Sequence, residues 1–150
     1  PEEACISLVI RNYGYQSYSI SILSKLLKKY IQYYKPLLPF KESFVVAKFE
    51  TVTTNFSLPI IKINQFNQIN FRIFTHTEEN VKKCYDEIEQ YTKLYLASKN
   101  KFEAVVSTPS HSRDHDKKIL KQLINSTEIQ QLRYSANQIY EALLNNGNVI

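Results

Sequence analysis

Four small constellations of side chains in this sequence have types and spacings that could do chemistry. His111 and His115 stand four apart, a spacing that lets two imidazoles on one helix face share a metal ion. The segment "HSRDH" follows closely on Pro109, however, carries Arg113 between the histidines and lacks the glutamate base of the zincin pattern. Solvent-facing loop histidines are therefore the expectation. His76 and Cys84 could serve as base and nucleophile, but no third group in the sequence orients them, and a helix-cap region accounts better for His76. The carboxylates of "YDEIEQY" (85–91) share a helix with lysines and read as a solvated face rather than an acid/base pair.

The fourth is "DKKILKQL" (116–123). At 100° per residue, Lys117, Lys118 and Lys121 fall within an arc of roughly 100°. Ile119, Leu120, Leu123 and Ile124 centre almost opposite. Burying the aliphatic side presents three ammonium groups to solvent together, a surface able to hold an anion. Asp114 and Asp116 lie near the helix start, where carboxylates complement the dipole, so they need not neutralise these lysines. Lys25, Lys28 and Lys29 form a rival basic face on an earlier helix. Catalysis is disfavoured, and neither a metal nor a cofactor is expected.

Composition frames these candidates. Lysine and arginine exceed aspartate and glutamate by 19 to 14, giving a net charge of +5. That excess attracts polyanions but is common among ordinary domains. Two glycines in 150 residues leave no material for a phosphate-cradling loop, so the P-loop and dinucleotide fingerprints are excluded. Cys5 and Cys84 lack metal-type spacing and read as reduced, partly buried thiols. No apolar run approaches 20 residues and no basic leader opens the chain, so it reads as soluble. The chain starts at Pro1 and contains no methionine, which marks it as a piece of a longer or processed protein.

The elements that must position the lysines are read from periodicity. "ACISLVIRN" (4–12) is a strand candidate. Leu23, Leu26, Leu27, Tyr30, Ile31 and Tyr34 recur at helical spacing, with Pro36 as the stop. "SFVVAKFETVT" (43–53), "SLPIIKIN" (57–64) and "INFRIFTH" (69–76) suggest an antiparallel meander, the last two flanking the turn "QFNQ". A helix is expected over 78–97, N-capped by Thr77, with Val81, Cys84, Tyr85, Ile88, Tyr91 and Tyr95 as its apolar stripe. "FEAVVST" (102–108) is a short buried strand, followed by the lysine helix. The last helix covers 134–144, with Ala136, Ile139, Tyr140 and Leu143 on one face and Gly147 beyond its end. The sum is one α+β domain over 1–150. The eleven tyrosines suit a core or a protein interface.

The segment from "FEAVVSTPSHSRDHDKKILKQL" to the end resembles the C-terminal domain of the fungal general amino-acid control kinases, serine/threonine kinases that sense uncharged tRNA and phosphorylate the alpha subunit of translation initiation factor 2. The resemblance rests on "KKILK", which matches the family's Lys-Lys-x-x-Lys pattern. It implies that Lys117, Lys118 and Lys121 attach the domain to ribosomes and to double-stranded RNA or tRNA. It further implies a homodimer, contacts with the kinase and synthetase-like domains of the parent protein, and a role in translation regulation under amino-acid starvation, with no membrane involved. The implied fold is a mixed, mainly antiparallel sheet with packed helices, like the anticodon-binding domain of class II tRNA synthetases. The alternative is a protein-interaction or dimerisation scaffold without direct RNA binding.

Overall fold

A computed structural model describes residues 1–13, 15–99, 113–145 and 148–150, with backbone alone at 92 and 95–99. Seven α-helices are present among them: α1 (Glu2–Asn12), α2 (Ile20–Tyr34), α3 (Phe49–Thr54), α4 (Ser57–Asn67), α5 (Glu78–Lys99), α6 (Asp114–Ile124) and α7 (Gln130–Leu144). Three 3-10 stretches, Tyr15–Ser17, Lys35–Ser43 and Thr127–Ile129, join or extend them. The only β pairing among the described residues is an isolated parallel bridge between Val46 and Val149. The expected α+β fold, with its antiparallel sheet and its likeness to the anticodon-binding domain, is therefore overturned. This part of the molecule is helical.

Each misread segment has a local reason. In "ACISLVIRN" the buried residues are Cys5, Ile6 and Val9, a helical spacing that the continuous apolar run conceals. Glu2 and Glu3 in the first turn and Arg11 in the last complement the helix dipole. Between 43 and 53, Ser43 ends the 3-10 stretch, Val46 makes the single bridge, and Thr51, Val52 and Thr53 lie in α3. Thr53 fits α3 because its Oγ1 donates to the carbonyls of Phe49 (3.0 Å) and Glu50 (3.2 Å). "SLPIIKIN" opens α4, and Pro59 is tolerated in that first turn, where its missing N–H has no intrahelical acceptor. "QFNQ" is the end of the same helix. Gln68 takes the left-handed conformation at φ 53°, and Ile69 N–H closes back on the Asn64 carbonyl at 3.1 Å.

"INFRIFTH" forms no ladder among the described residues; side chains bond its backbone at Phe71, Phe74 and Thr75 instead. The Asn64 amide accepts from Phe71 N–H and donates to Phe71 O, both at 2.8 Å. Ser57 Oγ donates to Phe74 O, and Asn80 Nδ2 donates to Thr75 O at 2.8 Å. Such pairs replace a neighbouring strand. The expected strand at 102–108 and Gly147 lie outside the described residues.

The helices read from periodicity are present. Ser19 Oγ accepts from Ile22 N–H (3.4 Å) at the start of α2, and Pro36 opens the 3-10 stretch that follows it. Thr77 caps α5, its Oγ1 accepting from Asn80 N–H at 3.2 Å. α7 begins earlier than expected, because Ser126 Oγ accepts from Glu128 N–H at 3.3 Å and leads through Thr127–Ile129 into the helix.

The chain divides into two compact units. The first takes the described residues of Pro1–Val46 and Ser110–Val149, where α1, α2, α6 and α7 pack on one another. Its core contains Ile6, Val9, Leu23, Leu27, Leu120 and Ile124, each at most 1% exposed, with Ile129 and Ala136 beside them. A part-buried clamp ties α1 to α7: Glu2 Oε1 accepts from Arg133 Nε (2.9 Å) and Asn137 Nδ2 (3.3 Å). The second unit, Ala47–Pro109 with Ile150, has no fully buried side chain among its described residues. Phe49, Phe71, Tyr85, Tyr91 and Leu94 are all exposed there. The expected apolar stripe of α5 is therefore not a buried one at Tyr85 and Tyr91.

Candidate nucleic-acid interface

α6 places the lysines as its periodicity requires. Leu120 and Ile124 are sealed into the core of the first unit, with Ile119 and Leu123 half-buried beside them. Asp114 and Asp116 occupy the first turn and Lys121 the last, both in accord with the dipole. At the far end, Asn125 Nδ2 donates to the Lys121 carbonyl at 2.8 Å and covers one of the open acceptors.

Lys117, Lys118 and Lys121 consequently share one solvent-facing side and border a single open depression of ≈ 400 Å³, with Asp114, Gln122 and Asn125 completing its rim. The expected clustering is present; the expected freedom of the charges is only partial. Lys117 Nζ lies 3.5 Å from Asp114 Oδ1, and Lys121 Nζ lies 2.7 Å from Glu3 Oε1 of α1. The Glu3 hydrogen bond, and then its charge, hold the Lys121 ammonium above its ordinary range. Lys118 is exposed and forms no ion pair among the described residues. Asp114 thus does take part in neutralisation, contrary to expectation. Glu3 could not have been identified from sequence, because only the packing of α1 on α6 brings it there.

The second basic face differs. Lys25, Lys28 and Lys29 are all exposed on α2, form no ion pair among the described residues, and share a helix that contains no acidic residue. Beside Lys29, between α1 and α2, runs an apolar groove of ≈ 550 Å³. Sequence reasoning placed the lysines but not the groove, which depends on how the two helices cross. Tyr30 lies along it, and burial, followed by the neighbouring Tyr34, pushes its hydroxyl up to about 12.

The other constellations have structural employment. His76 Nδ1 accepts from Phe56 N–H at 3.1 Å, and its ring meets those of Phe56 and Phe74 edge-on at 5.3 and 6.0 Å. That imidazole terminates a backbone donor inside an aromatic cluster. Cys5 and Cys84 are free thiols, and burial raises the pKa of Cys5. His115 stacks on Tyr15 with centroids 6.3 Å apart; His111 lies outside the described residues. No group of three His, Cys, Asp or Glu side chains suited to a metal occurs among the described residues. On α5, Glu79 pairs with Lys83 (2.7 Å) and Glu89 with Lys93 (2.8 Å), both pairs in solvent. No helix among the described residues is long and apolar enough to cross a membrane.

Comparison with protein-family models, with curated proteins and with solved structures matches nothing to this chain.

Proposed function

We propose that the chain is a non-catalytic RNA-binding module in which Lys117, Lys118 and Lys121 contact phosphates of double-stranded RNA or tRNA, principally on the ribosome. The observation that carries the reading is the shared placement of three ammonium groups around one open depression, on a helix whose opposite side is sealed in the core. The carboxylates facing Lys117 and Lys121 weaken this site without closing it. Both pairs are solvent-exposed, where water and salt screen the attraction and leave it weak. A phosphate can therefore exchange with them. Lysines act as mobile point charges, so the binding is salt-sensitive and poor in base discrimination.

The assignment to a homodimeric regulatory domain of a cytoplasmic, starvation-responsive translation kinase, in contact with that kinase's other domains, is supported by "KKILK" and its setting in the resemblance alone. The helical architecture removes the support that an anticodon-binding fold would have added.

A second reading, a protein scaffold without RNA contact, is favoured by the two ion pairs and by the exposed aromatic rings of the second unit. Filter binding to duplex RNA across a salt series, with ribosome co-sedimentation beside it, separates the two. Replacing Lys117, Lys118 and Lys121 together with glutamine is expected to abolish co-sedimentation. The log–log salt slope should become shallower by about 0.9 for each lysine that sits on a phosphate. Retention that is unchanged in the triple variant, or insensitive to salt in the parent, selects the scaffold.

A further inference from the structure

The α1–α2 groove and the lysines beside it form a surface that the RNA reading leaves unused. Ala4 and Leu8 of α1 face Leu26, Tyr30 and Tyr33 of α2 across it, and Lys29 stands on its edge. Leu8 and Tyr33 remain 44% and 69% exposed, so apolar surface lies open to water on both walls. Leu26, Tyr30 and Tyr33 follow the i, i+4, i+7 spacing of one helix face. Seven residues at 1.5 Å each give the groove a length of about 10 Å, close to two helical turns. Lys25 stands one turn before Lys29 along the same side of this stripe, whereas Lys28, at 100° per residue, falls nearly opposite it.

We infer that this groove docks an amphipathic helix of a partner protein, with large aliphatic residues at i, i+3, i+4 and i+7 and carboxylates along the side that lies over Lys25 and Lys29. Charge complementarity selects the acidic character. Lys25 and Lys29 form no ion pair among the described residues, α2 has no acidic residue, and the nearby carboxylates of α1 are engaged elsewhere, Glu2 with Arg133 and Glu3 with Lys121. The shape selects a helix. A helix satisfies its own backbone and needs only to lower one apolar stripe between two others, whereas a single acyl chain in so open a groove would stay half in water. RNA bases are disfavoured by the aliphatic wall and by the rings themselves: Tyr30 packs on Tyr34 at 4.5 Å, and Tyr33 meets Tyr34 edge-on at 4.9 Å.

The test is a fluorescence-anisotropy titration with a labelled 18-residue synthetic helix (about five turns) carrying leucines at those positions and flanking glutamates. A twin peptide with lysines in place of the glutamates is the control. The acidic peptide is expected to bind saturably and at least about tenfold more tightly than its twin. Leu8→Glu and Tyr33→Glu, chosen because both sites are exposed and their loss leaves the core intact, should each weaken it about tenfold with an unchanged thermal melt. Lys25→Glu and Lys29→Glu together should invert the preference between the peptides. The α6 glutamine triple variant should bind the acidic peptide as the parent does, which separates this inference from the RNA reading. Equal affinity for the two peptides, or groove variants that bind like the parent, overturns it. Two further results would also overturn it. One is loss of duplex-RNA retention in the α2 charge reversal. The other is capture by phosphatidylserine vesicles, abolished by Leu8→Glu, in place of peptide binding.

Discussion

Glu3 and Lys121 come from opposite ends of the sequence and meet at 2.7 Å in solvent. At the proposed RNA surface this carboxylate competes with phosphate for the same ammonium. Glu3→Gln is therefore expected to tighten duplex-RNA binding a few-fold at low salt and to steepen the salt slope by a fraction of the roughly 0.9 that each neutralised phosphate contributes. An unchanged affinity in filter binding would place the phosphate away from Lys121. Tyr30 supports a different kind of prediction. Its hydroxyl is raised from near 10 to about 12, chiefly by burial, so between those values the folded chain holds a proton that the unfolded chain has released. Stability from this group is complete below pH 10 and is lost as the pH rises toward 12. Tyr30→Phe should lack that alkaline loss, as read by urea midpoints at pH 9 and pH 11 (values on either side of the ordinary tyrosine range). A variant with the parent's pH dependence would assign the loss to other tyrosines.

At the scale of elements, α6 joins the charged surface to the core. Leu120 is fully buried on the side opposite the lysines. Leu120→Asp combines the loss of a buried aliphatic side chain with an unpaired charge, an effect of at least about 3–5 kcal/mol. Loss of cooperative melting, followed by far-UV circular dichroism, is the expected outcome. A variant that melts as the parent does would show the helix turned differently. The same scale explains which segments were legible. α2, α5, α6 and α7 declared themselves through apolar spacing, and Thr77 through its position before two glutamates. "ACISLVIRN" and "SLPIIKIN" did not, because an unbroken apolar run has neither a two-residue nor a 3.6-residue period, and β-branched residues then weight the reading toward strand. The better signals lay at the edges: paired glutamates opening α1, and a proline in the first turn of α4.

For the molecule as a whole, the decisive feature is unequal burial. Every fully buried side chain among the described residues belongs to the first unit, while the second holds its backbone through surface-accessible side-chain bonds such as those of Asn64. Opening free energy follows buried apolar contact. Amide hydrogen exchange should accordingly show α2 and α7 protected to the global limit, with α3 and α4 exchanging at least about tenfold faster by that argument. Equal protection in both would contradict the division.

The amino-acid sequence by itself determined four of the helices, the cap of α5, the grouping of Lys117, Lys118 and Lys121 on one face, and the exclusion of phosphate-loop chemistry, since each follows from spacing or residue type within about 20 neighbouring positions (the reach of helical periodicity). Tertiary structure alone decided that Glu3 reaches Lys121 and that α1 and α2 leave a groove between them. These outcomes rest on contacts between residues distant in sequence. Their energies depend on what packs against what, which no local pattern records.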